Sequence, residues 1–232
     1  MEQKYAIIRN LPLSLRKENR ILVRIALENL IWERCCTCPD EVEEAACGRA
    51  GRVELCDRLD LDGITPSRGD IVSSVGKGIL VNVMVRPRGG DFVCSEDEIR
   101  GMLDEISICA DLGANGVVAG ILDGEGNVDV EATARLVARA VGLGLEFTFH
   151  RAFDLCPDKA SSLESLIDIG CTRVLTSGGA YTAMKGASVI SALVRQAGER
   201  ISVMPGGGVT PDNVAVLKSL TGAREFHGTR LF

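Results

Sequence analysis

The sequence is poor in aromatic residues (4%), has only two histidines and shows no excess of positive charge. Its 26 Lys and Arg against 32 Asp and Glu leave a net charge of −6, and the cations are scattered rather than banded. A nucleic-acid surface needs a basic stripe, so none is expected. No apolar run approaches the roughly 18 residues of a membrane span; the apolar stretch Ile79–Val85 itself carries Asn82. The N-terminus lacks the cationic, apolar and small-residue layout of a secretion signal. These absences predict a cytoplasmic chain with neither a membrane nor a nucleic-acid partner. Nine cysteines are present, an odd count in a chain of 232 residues that is long enough to bury its own core. Reduced thiols are therefore expected rather than a disulfide framework.

What the chain does contain is a rhythm. Short β-branched runs recur at Ile31–Cys36, Arg52–Cys56, Leu80–Arg86, Gly116–Gly120, Leu145–His150, Arg173–Ser177, Ile201–Pro205 and Arg224–His227. The spacing of their starts matches a β–α unit of about 30 residues. Helix signals lie between them. Ser95-Glu-Asp-Glu98 and Ser161-Ser-Leu-Glu164 read as capping boxes, with Gly113 and Gly170 as stops, and Thr210-Pro211 reads as an N-cap before a first-turn proline. Eight strands spaced by helices predict a parallel sheet closed into a (β/α)8 TIM barrel over 30–232. The sequence reaches Arg230-Leu-Phe232 directly after the eighth strand, so the expected barrel lacks its final helix. Residues 1–29 form an N-terminal extension, and a helix within 14–29 is expected to cover the seam between the last and first strands.

The C-terminal strand ends form the active face of such a barrel. Because side chains alternate along a strand, Glu33 points with Cys35, Glu54 with Cys56, Met84 with Arg86, Thr148 with His150 and Glu225 with His227. If the later member of each pair faces the lumen, the mouth holds two thiols, an arginine and both histidines. Cys35 and Cys56, at equal depth on neighbouring strands, can offer two soft sulfurs to one Cu(I) ion; they can equally be small apolar fillers. Cys35-Cys-Thr-Cys38 looks metal-like, but Cys36 should point away from the lumen. The turns Ser177-Gly178-Gly179, Gly206-Gly207-Gly208 and His227-Gly228 can cradle an anion with backbone N–H groups, helped by Arg86 and Arg88; tight-turn geometry explains the same glycines.

Seven strings occur in order: Arg-Val-Glu-Leu-Cys (52–56), Gly-Ile-Thr-Pro-Ser (63–67), Met-Val-Arg-Pro-Arg-Gly-Gly-Asp-Phe (84–92), Phe-Thr-Phe-His-Arg-Ala-Phe-Asp (147–154), Leu-Thr-Ser-Gly-Gly (175–179), Val-Met-Pro-Gly-Gly-Gly-Val (203–209) and Glu-Phe-His-Gly (225–228). Together they resemble the CutC family, named for copper homeostasis, over about residues 32–229. The resemblance implies a (β/α)8 barrel, a cytosolic location, a homo-oligomer and copper as the bound ion. The family's two proposed ligand cysteines fall on Cys35 and Cys56, and its acidic positions on those strands fall on Glu33 and Glu54. The sequence departs from the family at Cys35-Cys-Thr-Cys38, where Cys-Val-Asp-Ser is usual, and at Gly48-Arg-Ala-Gly51, where Gly-Gly-Ala-Asp is usual.

Two functions are thus expected. The first is a cytosolic Cu(I)-binding homeostasis protein with Cys35 and Cys56 as thiolate ligands. The alternative is a barrel enzyme acting on an anionic, phosphorylated or carboxylated small molecule. There His150 would serve as acid/base, with Glu54 and His227 as further catalytic candidates. Arg86, Arg88, Ser177, Gly178 and Gly206–Gly208 would bind the anion. No lysine stands at a predicted strand end, which disfavours Schiff-base chemistry. A copy that has lost both roles is the third possibility weighed.

Overall fold

The computed structural model describes residues 30–48 and 50–229. The helix expected within 14–29 and its contact with the seam lie outside the described residues. Eight parallel strands are found: β1 (Ile31–Cys36), β2 (Arg52–Leu55), β3 (Leu80–Met84), β4 (Gly116–Ala119), β5 (Glu146–Phe149), β6 (Arg173–Thr176), β7 (Ser202–Pro205) and β8 (Glu225–Gly228). Seven α-helices alternate with them among the described residues. They are α1 (Pro39–Cys47), α2 (Arg68–Ser74), α3 (Glu96–Asp111), α4 (Val130–Gly142), α5 (Lys159–Asp168), α6 (Ala187–Ala197) and α7 (Val214–Thr221). The ladder runs β7-β6-β5-β4-β3-β2-β1-β8, which pairs the last strand with the first. At the remaining seam β7 lies against β8 without a regular ladder: a Cβ on Gly206 would stand 3.5 Å from Cβ of His227. The result is a nearly closed (β/α)8 barrel, as the strand rhythm predicts.

Local chemistry explains most helix boundaries. Ser95 caps α3, accepting from Glu98 N while the Glu98 carboxylate accepts from Ser95 N. Gly113 and Gly170, with φ near +90° and +84°, follow α3 and α5 in the left-handed conformation. Two starts are corrected. The α5 helix begins at Lys159, because the Asp158 carboxylate accepts from both Ala160 N and Ser161 N and so caps earlier than Ser161. Glu164 is left to pair with Arg200. The α7 helix begins at Val214, because the Asn213 side-chain oxygen accepts from Thr210 N and turns that segment before helix can form.

The sheet's two faces differ in chemistry. Val53, Leu55, Val81, Val83, Val117, Phe147, Phe149, Val174 and Phe226 are wholly buried and form the apolar layer under the helices. The alternating positions Glu33, Arg52, Glu54, Asn82, Thr148, Arg173, Glu225 and His227 are buried and polar. Some of their partners lie on strands that are not neighbours: Arg52 of β2 donates to Glu225 of β8 and approaches Met204 Sδ of β7. Contacts of that kind are made only across a lumen. The barrel interior is thus a charged core inside an apolar shell.

Candidate metal centre

The lower lumen is a network of ion pairs. Arg52 pairs with Glu33 and with Glu225, and Arg173 pairs with Glu225, Glu146 and the Thr148 hydroxyl. Asn82 Nδ2 donates to Glu33 Oε2 (3.3 Å). His227 Nδ1 lies 2.9 Å from Glu33 Oε1, and its Nε2 lies 3.5 Å from Glu54 Oε2. Burial opposes ionisation of Glu33, but the His227 hydrogen bond and the charge of Arg52 outweigh it and hold its carboxyl at about 2. Burial likewise disfavours a charged His227, yet Glu54 and Glu33 outweigh it and raise its pKa. For Glu54 burial prevails and its pKa rises.

One step toward the mouth the chemistry changes to sulfur. The β1–β2 register pairs Cys35 with Glu54 and Cys36 with Leu55, so Cys35 and Cys56 do not occupy matching register positions, contrary to the expectation of equal depth. Barrel strands are tilted, and the tilt brings diagonal neighbours to one height. The two sulfurs accordingly lie 3.6 Å apart and both residues are buried. The Glu54 carboxylate joins them: Cys35 Sγ, Cys56 Sγ and a Glu54 oxygen all lie within 4.8 Å of one another. Met84 and Val118 complete the cluster on the neighbouring strands. The contact with Cys56, then burial and the nearby Glu54, push the Cys35 thiol well above the ordinary cysteine range. A metal entering here must therefore displace protons from sulfur. Among the described residues Glu54 Oε1 is buried without a hydrogen-bond partner. Cys36 points away from this group, donates to Arg34 O and is pushed by burial to about 12.

The other candidates do not assemble around one ligand. Arg86 is buried, but its guanidinium donates to the carbonyls of Leu61, Gly63 and Gly90 and stacks 4.6 Å over Phe92. It ties three loop carbonyls together through its Nη atoms, and its Nε is buried without a partner among the described residues. Arg88 is half-exposed and pairs with Glu98 and Asp91. The turn after β6 is already filled by the chain's own carboxylate. Asp154 accepts from Thr176 Oγ1, Ser177 N, Ser177 Oγ and Gly179 N, and pairs with Arg151. Gly178 N donates to Thr176 Oγ1. Ser177 N and Gly178 N are thus engaged within the chain. In the next turn Gly206 N bonds Thr176 O, and Gly207 lies against Arg151: a Cβ there would meet the guanidinium carbon at 3.4 Å. Gly208 O accepts from Asn213. His150 is buried between Phe92 and Phe149, and its Nδ1 accepts from Ala152 N. Burial first, then the charge of Arg86, hold it down at about 3. A neutral imidazole whose accepting nitrogen is engaged keeps only a donor at Nε2, so His150 is not placed to act as a general base.

Comparison with known proteins agrees with this sulfur-lined barrel. The CutC family model matches residues 30–231. The chain belongs to the CutC family. A family protein CutC of Parabacteroides distasonis is 44% identical over 199 residues, covering 85% of this chain and 81% of that protein. Its counterpart in Xanthomonas campestris pv. campestris (strain 8004) is 50% identical over 183 residues, covering 78% of this chain and 75% of that protein. Among solved structures, a Streptococcus agalactiae CutC named for copper homeostasis superposes with a TM-score of 0.83 at 36% identity, covering 88% of this chain and all of that one. The barrel architecture is thus that of a CutC.

Sequence reasoning finds Cys35, Cys56, His227 and Glu54 but misses how they are connected. Glu54 was expected as a catalytic candidate and stands beside the thiols. Arg52, Arg173 and Asp154 were not singled out. The two arginines could have been found, since a charged residue at an inward strand position must be paired.

Proposed function

We propose that the chain is a copper homeostasis protein of the CutC type that binds Cu(I) through the thiolates of Cys35 and Cys56. The observation that carries this reading is the 3.6 Å separation of two buried sulfurs at the strand ends of the barrel. Thiolates are soft donors that select Cu(I), and the thioether residue Met84 in the same cluster adds a third soft atom to its surroundings. Two metal–sulfur bonds of about 2.3 Å in line would need roughly 4.6 Å between the sulfurs, which a rotation of either short side chain supplies. When bound, the ion supplies a soft Lewis-acid centre. The protein holds the thiol pair, excludes competing ligands by burial and takes up the displaced protons. All nine cysteines are free thiols, which fits a reducing cytoplasmic setting. A homo-oligomer belongs to the same reading and is measured by light scattering.

The test is a Cu(I) titration of the reduced full chain against a chromophoric chelator. Cys35→Ser and Cys56→Ser should each lose most of the Cu(I) affinity. Cys94→Ser, a half-buried thiol outside the cluster, should keep it. Equal affinities in all three variants overturn the reading.

A further inference from the structure

We infer that Cys35, Cys56 and Glu54 together form a three-donor site for a divalent cation of the zinc class, with Glu54 as the third ligand. This rests on the two-thiolate reading above and extends it from one ion to two chemical classes.

Three independent features point to this. The first is the spacing of the donors. With metal–sulfur bonds of about 2.3 Å, sulfurs 3.6 Å apart subtend roughly 103° at the ion. That is close to the tetrahedral angle and far from a straight line. A tetrahedral ion with metal–oxygen bonds of about 2.1 Å would place each sulfur roughly 3.6 Å from the carboxylate oxygen, and all three donor atoms here lie within 4.8 Å of one another. The sulfur pair therefore already has the spacing a tetrahedral ion requires, with the carboxylate close by, whereas digonal Cu(I) needs the sulfurs spread by about 1 Å.

The second feature is an open valence. Glu54 Oε1 is a buried carboxylate oxygen without a hydrogen-bond partner among the described residues. Buried acceptors are nearly always satisfied, and this one belongs to the carboxylate that clusters with the two thiols, where an ion would supply its partner. The third is orientation. His227 stands between Glu33 and Glu54, and Glu33 is gripped by Arg52 and Asn82. An imidazole fixed by Glu33 at 2.9 Å thus faces the Glu54 carboxylate at 3.5 Å, the kind of outer neighbour that orients a metal ligand. Two thiolates and a carboxylate also bring three negative charges, which a divalent ion offsets better than a monovalent one. Three protein donors leave a fourth position for solvent or an exchanging ligand, the count of an open rather than a closed zinc site.

The experiment uses the reduced full chain with Zn(II), Co(II) and Cu(I) as separate probes. The wild type should bind one Zn(II) or Co(II) per chain, and Co(II) should show sulfur-to-metal charge-transfer absorption. Glu54→Gln should lower Zn(II) affinity by more than the roughly 10–100-fold that loss of an outer-shell partner costs. Its Cu(I) affinity should fall at least about tenfold less, so that selectivity turns toward Cu(I). The double variant Cys35→Ser/Cys56→Ser should lose both metals. Equal losses of the two metals in Glu54→Gln, or no loss of either, overturn the inference and leave the two-thiolate reading standing. Retention of Cu(I) by the double variant overturns that reading itself. Should Glu54→Gln fail to fold by circular dichroism, zinc-edge X-ray absorption on the wild type decides: two sulfurs with oxygen or nitrogen neighbours support the site, and a sulfur-only shell or no bound zinc overturns it.

Discussion

The lower lumen and the thiol cluster stand one layer apart and obey opposite rules. Below, Glu33, Arg52, Glu225 and Arg173 are buried and meet one another across the barrel, each charge answered by a charge of the chain itself. Above, Cys35 and Cys56 lie side by side with no cation beside them, and Glu54 Oε1 is unanswered. The same contrast separates the turn after β6, where Asp154 accepts from the backbone donors, from the thiol pair, whose sulfurs face each other. Buried polar groups with a complete set of internal partners hold the barrel together. Two adjacent layers of one lumen thus differ in how far the chain answers its own buried polar groups.

The largest way to break the comparison is Arg52→Met. It leaves Glu33 and Glu225 facing each other without their shared cation, and removing one partner of a buried pair costs about 3–5 kcal/mol. Urea denaturation should show a loss of that size; a loss under about 1 kcal/mol would mean the network is not structural. Next is Asp154→Ala. It strips a buried acceptor from Ser177 N, Gly179 N and two hydroxyls, at a cost of about 1.5–3 kcal/mol for hydrogen bonds to a charged group. It also converts a filled turn into an open one, so acetate should raise the melting temperature of the variant and leave the wild type unmoved. Equal acetate effects on both would show that Asp154 is not what closes that turn.

A smaller effect, about 1–3 kcal/mol of overpacking, is expected for Gly120→Ala. The new methyl would stand 2.6 Å from His150 Nδ1 and 3.0 Å from Phe149 Cζ. Cu(I) affinity should be preserved because the strain lies outside the thiol cluster; a large drop would tie the His150 side of the mouth to the metal. The smallest effect at neutral pH is that of His150 itself. Its folded pKa is about 3, against about 6.5 in the unfolded chain. Between those values the unfolded state binds more protons, so stability rises with pH across that window. The contribution is complete above about pH 6.5 and is lost progressively as pH falls toward 3. Arg86 is the charged group that faces the ring and adds to the depression. His150→Phe should flatten the urea midpoint between pH 7 and pH 5; an unchanged slope would assign the acid sensitivity to other groups.

Much of this was legible in the chain alone. Strand positions follow from short β-branched runs at regular spacing, and β1 is found at the residues predicted, Ile31–Cys36. The alternation that turns Glu33 and Cys35, or Glu54 and Cys56, to one side is a property of any strand. Helix starts were less secure at Ser161 and Thr210, where an aspartate and an asparagine a few residues away compete for the same backbone N–H groups. The turn after β6 shows a related limit: glycines after a strand announce N–H groups, but not that a carboxylate 23 to 25 residues away accepts from Ser177 N and Gly179 N.

By itself, then, the sequence determined the repeat, the parallel barrel and which side chains turn inward, because these depend on propensities and periods that act within about ten residues. Only the tertiary structure decided which inward groups meet. Barrel closure and strand tilt set Arg52 against Glu225, His227 between Glu33 and Glu54, and Cys35 against Cys56 despite their unmatched register. Those contacts join residues at least 21 positions apart through strand pairing, tilt and closure, and no local period encodes them.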